Sequence, residues 1–152
     1  MIKFLLAGAL AVATPVFAQT NSNFVGTHVE AQTGLLHDDV TYGAAIGHDF
    51  ALGDRATLGV DADATNIFDE NGRTLGAGAK LGYALTPEVL AFGRVGYVNL
   101  DAYNQHLNGV AAGGGLQFSL TRNTYVNTEY RYTNYEQGVH SNAGLLGLGI
   151  RF

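Results

Sequence analysis

The chain has 152 residues, 21 glycines, two prolines, no cysteine and a formal net charge of −5. That length suits one domain, and the acidic balance argues against a nucleic-acid partner, whose phosphates call for basic side chains. Without cysteine there is no disulfide, no lipid-modified N-terminal cysteine and no thiolate metal site; scarce proline beside abundant glycine suits strands and tight turns, not a linker or a collagen.

Residues 1–18 read as a cleaved signal peptide. Lys3 supplies the positive start, 4–13 form an apolar stretch, and Val16 and Ala18 stand at positions −3 and −1 of a cleavage site before Gln19. The stretch is shorter than the roughly 20 apolar residues of a spanning helix. Its removal takes away one charge, Lys3, and leaves 19–152 more acidic still.

From residue 24 onward no helical stripe is sustained, and polarity alternates with period two in segments of about ten residues, the length with which a tilted strand crosses a bilayer. The first segment, 24–33, sets Val25, Thr27, Val29 and Ala31 against Gly26, His28, Glu30 and Gln32. The second, 40–51, sets Val40, Tyr42, Ile46 and Phe50 against Thr41, Gly43, Gly47 and Asp49, with His48 interrupting the apolar row. The third, 55–65, sets Leu58, Val60 and Ala62 against Gly59, Asp61 and Asp63. The fourth, 74–85, sets Leu75, Leu81 and Tyr83 against Gly76, Gly78, Lys80 and Gly82.

In the fifth, 89–100, Val89, Val95 and Tyr97 oppose Arg94 and Gly96, but Leu90, Phe92 and Val98 intrude on the polar side. The sixth, 109–120, sets Val110, Leu116 and Phe118 against Gly113, Gly115 and Gln117. The seventh, 124–133, sets Val126, Thr128, Tyr130 and Tyr132 against Tyr125, Asn127, Glu129 and Arg131. The eighth, 143–152, sets Leu146, Leu148, Ile150 and Phe152 against Gly147, Gly149 and Arg151. Eight such strands predict an all-β fold, an eight-stranded antiparallel up-and-down transmembrane β-barrel. The connections after strands two, four and six (53–54, 86–88, 121–123) are short. Those after strands one, three, five and seven (34–39, 66–73, 101–108, 134–142) are expected to be longer outer loops.

The orientation of the faces follows from glycine and from the aromatics. Glycine crowds the polar face, which suits the interior of a narrow barrel that side chains must fill. On the apolar face, Phe50, Tyr83, Phe118 and Phe152 fall at one end of the strands and Tyr42, Tyr97, Tyr130 and Tyr132 towards the other. Two aromatic girdles around an aliphatic band are a lipid-facing pattern. Tryptophan, a common girdle residue, is absent.

Three segments carry a family likeness: AFGRVGY (91–97), EYRYTNY (129–135) and the terminal GLGIRF (147–152). With them the chain resembles the small outer-membrane barrels, the opacity-type surface antigens and OmpA-like transmembrane domains. The resemblance implies a place in the Gram-negative outer membrane and a structural or surface-antigen role. It also implies lipopolysaccharide and phospholipid as surroundings. Gly147, Leu148, Gly149, Ile150, Arg151 and Phe152 match the signal read by the barrel assembly machinery.

On this orientation the lumen holds Glu30, Asp49, Asp61, Asp63 and Glu129 with Lys80, Arg94, Arg131, Arg151 and His28. Unpaired charge in a narrow interior costs several kcal/mol, so these groups are expected to form a structural ion-pair network. One alternative is a narrow ion-conducting path, since intramembrane charges often mark one. Another is a lipid A-modifying enzyme, which needs a histidine and a serine on one strand face. Here His140 and Ser141 are adjacent, point to opposite faces, and are expected in the last loop. The outer loops are expected to carry Asp38, Asp39, Asp69, Glu70, Asp101 and Glu136 with His37, His106 and His140. The 69–72 segment, DENG, lacks the rest of a calcium-loop pattern. The expectation is therefore a monomer with no catalysis, no cofactor and no metal site.

Overall fold

The computed structural model describes residues 23–67, 72–102 and 105–152, the side chain of Ala102 excepted. The leader expected over 1–18, and Asp69 and Glu70 with it, lie outside the described residues. Eight strands follow one another: β1 (Gly26–Leu36), β2 (Asp39–Ala51), β3 (Ala56–Ile67), β4 (Gly72–Ala84), β5 (Val89–Ala102), β6 (Gln105–Ser119), β7 (Thr124–Tyr135) and β8 (His140–Arg151). Each pairs antiparallel with the next, and β1 closes on β8 from His28↔Arg151 to Leu36↔Ala143. Closure leaves no strand edge unpaired, a condition any sheet must meet in hydrocarbon.

At the inner end three turns are built alike. Leu52, Leu85 and Leu120 each donate a backbone hydrogen bond to the residue four ahead, at 2.8, 2.8 and 2.9 Å. In two of them a threonine hydroxyl organises the bend. Thr86 Oγ1 accepts from the amides of Glu88 and Val89, and Thr121 Oγ1 from those of Asn123 and Thr124. The third has Gly53 at φ +119° in place of threonine, a conformation that side chains disfavour.

The outer end corrects the expected loops. Only His37 and Asp38 separate β1 from β2, and only a short 3₁₀ turn (Glu136–Gly138) with Val139 separates β7 from β8. Those connections are no longer than the inner turns, so length does not distinguish the two ends there. Residues 34–36 and 140–142 belong to β1 and β8 instead. Gly34, which reads as a loop residue, lies in the ladder opposite Thr41 and Leu145. It is glycine because a Cβ there would stand 2.7 Å from the Leu145 side chain. His140 and Ser141 likewise lie in β8, not in a loop. Strand one also begins later than its pattern suggests: Phe24 precedes β1 and is wholly buried.

The outward face is apolar all round. Val60, Leu81, Val95, Leu148 and Ile150 are each at least half exposed, with Leu148 at 56 %. A soluble monomer rarely exposes apolar patches beyond a few hundred Å², whereas lipid tails cover such a band. Tyr42, Tyr83, Tyr97, Phe118, Tyr130, Tyr132 and Phe152 project from this face, and Phe50 does so half-buried beside His48, ring centroids 4.5 Å apart. His48 is accommodated by a hydrogen bond with Thr27 Oγ1 at 2.9 Å. Because the strands run on, the outer tyrosines do not end them. Asparagines come next outward: Asn99 pairs with Asn108 through a 2.8 Å side-chain bond, and Tyr130 Oη donates to Asn142 Oδ1 at 2.9 Å. On β5 to β8 the apolar belt thus meets polar side chains while the sheet continues above them, whereas on β1 and β2 it runs on through the exposed Leu35 and Val40.

A charge placed in mid-belt should be expensive and one beside the asparagines cheap. Leu148→Arg is expected to destabilise the folded barrel by roughly 2–4 kcal/mol and Asn99→Arg by roughly 1 kcal/mol or less. Urea unfolding in lipid bilayers measures both.

Candidate functional site

The inward side chains of eight strands meet in a lumen whose charges fall into two groups. Towards the inner end Asp49 is the centre. Its carboxylate faces His28 Nδ1 at 3.2 Å, Lys80 Nζ at 3.2 Å and Arg151 Nη2 at 3.0 Å, so β2 is tied to β1, β4 and β8. Arg151 also lies 5.0 Å from the Tyr125 ring centroid, and Lys80 5.5 Å from that of Phe92.

Towards the outer end two arginines serve three carboxylates. Arg94 donates to Asp61 through Nε at 2.9 Å and Nη2 at 2.5 Å, and through Nη2 to Asp63 at 2.6 Å. Arg131 donates to both oxygens of Glu129, at 2.7 and 3.0 Å, and reaches Asp63 Oδ2 with Nη1 at 3.4 Å. The fork of a guanidinium suits such paired contacts. Between the groups Glu30 has no ion pair among the described residues. It accepts from Asn127 Nδ2 at 2.7 Å and Gln32 Nε2 at 2.8 Å.

All ten lumen residues expected from the sequence point inward. The inner group has a surplus of positive charge, and the outer group, with Glu30, a surplus of negative charge. Space for these side chains comes from glycines beside them in the ladder. Asp49 lies opposite Gly59, Asp63 opposite Gly76, His28 opposite Gly47 and Tyr125 opposite Gly149. A Cβ at Gly76 would sit 2.7 Å from Asp63 Oδ1, and one at Gly78 2.9 Å from the Arg94 guanidinium. A gap of about 30 Å³ lies amid the network, enough for one water molecule.

The lumen also has an apolar plug that the polar-face reading did not include. Phe24, Ala84, Leu90 and Phe92 form a buried cluster at the inner end. The chain ahead of β1 is latched there: the Asn23 carbonyl accepts from Arg151 Nη1, and Asn23 Nδ2 donates to Pro87 O at 3.0 Å. The signal was present in strand five, where Leu90, Phe92 and Val98 break the alternation; all three are buried inside the barrel. Elsewhere, His140 and Ser141 do not form a pair. His140 stacks on Tyr132, centroids 6.2 Å apart, while Ser141 lines the outer mouth of the lumen. At the rim Asp101 lies 3.9 Å from Arg73 and 3.6 Å from His106, and no cluster of three metal-binding side chains occurs among the described residues.

Removing one member of a buried charge set strands the others. Asp49→Ala leaves His28, Lys80 and Arg151 without their shared carboxylate and is expected to cost about 3–5 kcal/mol. Chemical unfolding in bilayers, compared with the conservative Asp49→Asn, measures it.

Comparison with known proteins now bears on this architecture. The family model described as "Outer membrane protein beta-barrel domain" matches residues 4–152. No curated protein matches the sequence. Among solved structures, the N-terminal β-barrel domain of Pseudomonas aeruginosa OprF is similar with a TM-score of 0.68 at 19 % identity, covering 85 % of this chain and 98 % of that one. Yersinia pestis Ail in a phospholipid nanodisc gives 0.59 at 15 %, covering 84 % and 99 %. The outer membrane enzyme PagL gives 0.60 at 14 %, covering 82 % and 99 %. At these identities the likeness concerns the fold. Together with the family match it places the protein in the bacterial outer membrane. The chain belongs to the outer membrane protein β-barrel domain family.

Proposed function

We propose that the protein is a structural, surface-exposed barrel of the bacterial envelope, a surface antigen in type, whose lumen is sealed by its own charge network. The observation that carries this reading is the pair of ion clusters around Asp49 and Arg94, whose side chains reach across the lumen and line a gap of about 30 Å³. Beneath it the Phe24–Leu90–Phe92 cluster adds a second barrier. Buried ion pairs held by several partners are better suited to fixing a structure than to passing ions.

Lipopolysaccharide and phospholipid would cover the belt, and the GLGIRF terminus on β8 would be the segment presented to the barrel assembly machinery. The reading takes the barrel as a monomer without catalysis. It favours no catalysis because His140 and Ser141 stand back to back on β8, so the imidazole cannot take a proton from that hydroxyl.

Purified protein in planar bilayers is expected to give no unitary current above background. A steady conductance would replace the sealed barrel with a narrow channel. Incubated with lipopolysaccharide, wild type and Ser141→Ala are both expected to release no fatty acid. Release by wild type alone would make the protein a lipid-modifying enzyme.

A further inference from the structure

Above the charge network the lumen widens into a chamber of about 270 Å³ that opens at the outer end of the barrel. Its walls differ from the rest of the interior. Leu36, Ile67, Val98, Leu100 and Leu145 line it, interleaved with the hydroxyls of Thr41, Thr65, Thr74 and Thr133. Asp63 and Arg131 form the floor. We propose that this chamber binds a small molecule consisting of a compact apolar body and one protonated amine.

Three independent features select that chemistry. The first is the charge of the network beneath the floor, of which Asp63 and Arg131 are the members that reach the chamber. Asp61, Asp63 and Glu129 outnumber Arg94 and Arg131, so the outer group carries one uncompensated negative charge. Arg131 is committed to Glu129 through Nε and Nη2, which leaves an incoming anion only Nη1 as donor, beside the repelling carboxylate of Asp63. Asp63 differs. Its Oδ1 is held by Arg94 at 2.6 Å, whereas Oδ2 has only the long 3.4 Å contact with Arg131 and can accept a stronger bond from an ammonium.

The second feature is Thr41. The residue is 3 % exposed, it lines the chamber, and its Oγ1 has no hydrogen-bond partner among the described residues. Buried hydroxyls are normally satisfied, and one left open beside a cavity offers a polar guest a partner. The third is the aliphatic wall. A bare metal ion would make no use of it, and the described residues hold no cluster of three metal-binding side chains. An apolar body would cover this wall and keep it from water. The volume lies near the lower end of ligand pockets, roughly 300 Å³ upward, which limits the guest to about one ring and a short tail.

The test uses the full barrel in lipid nanodiscs and 2-phenylethylamine as the probe, with 3-phenylpropanoate and 2-phenylethanol as matched acid and alcohol. Backbone amide NMR shifts report occupancy. Saturable shifts at Thr65, Thr74 and Thr133 are expected with the amine, and binding at least ~10-fold weaker for the acid and the alcohol. Asp63→Asn is expected to weaken the amine at least ~10-fold, and Thr41→Val about 3-fold. Because Asp63 also supports the network, Leu100→Trp provides a second variant. It fills the chamber, leaves every charge in place, and is expected to abolish the shifts. Non-saturating shifts, equal binding of acid or alcohol, or retention of binding in Leu100→Trp would each overturn the proposal.

Discussion

A barrel of eight strands encloses a space hardly wider than two side chains, and that width governs the molecule. A long inward residue can be housed only where a neighbour gives up its own side chain. The ladder shows this bargain repeatedly: Asp61 faces Gly47 and Gly78, Arg94 and Arg131 both face Gly113, Glu129 faces Gly115, and Asn127 faces Gly147. Glycine is therefore spent on volume here and only seldom on backbone freedom. The same width forces charged groups close together, which makes ion pairing a requirement, and the larger chamber opens where side chains are aliphatic or short.

Much of this could be read from the residues. Period-two alternation makes each strand legible, and the same alternation sorts Asp49, Asp61 and Arg94 to the inside, because a strand's side chains have only two directions to choose from. What the chain does not spell out is partnership across the lumen. Asp49 and Arg151 are remote in sequence, and which base meets which acid depends on tilt and register summed around the barrel. Strand ends are hidden in the sequence for a related reason. Glycine, histidine and asparagine look like loop formers, yet Gly34, His140 and Asn142 occupy regular ladder positions because their neighbours need the room or the polarity. The inward turn of Leu90, Phe92 and Val98 was visible as an irregularity whose meaning, an apolar plug below and an apolar chamber above, needed the third dimension.

The axis of the barrel is thereby zoned. An oily plug at the inner end gives way to a positively biased cluster around Asp49, then to a negatively biased one around Arg94 and Arg131, and finally to a chamber of aliphatic and hydroxyl groups. Outside, a second zoning runs parallel: aromatic girdle, aliphatic belt, tyrosines, asparagines. The two are coupled because every strand contributes alternate residues to each. A one-residue slip of register would exchange the environments wholesale, placing carboxylates against lipid and leucines against arginines. Specificity of the fold rests on that penalty.

The strands continue outward past the asparagines of β5, β6 and β8, and this fixes the character of that end of the barrel. Where β1 joins β2 and β7 joins β8, the outer end of the barrel is hydrogen-bonded sheet crowned by tight bends. Any molecule meeting these bends would find a backbone already held by ladder hydrogen bonds, so little motion would have to be frozen out on contact and contour would matter most.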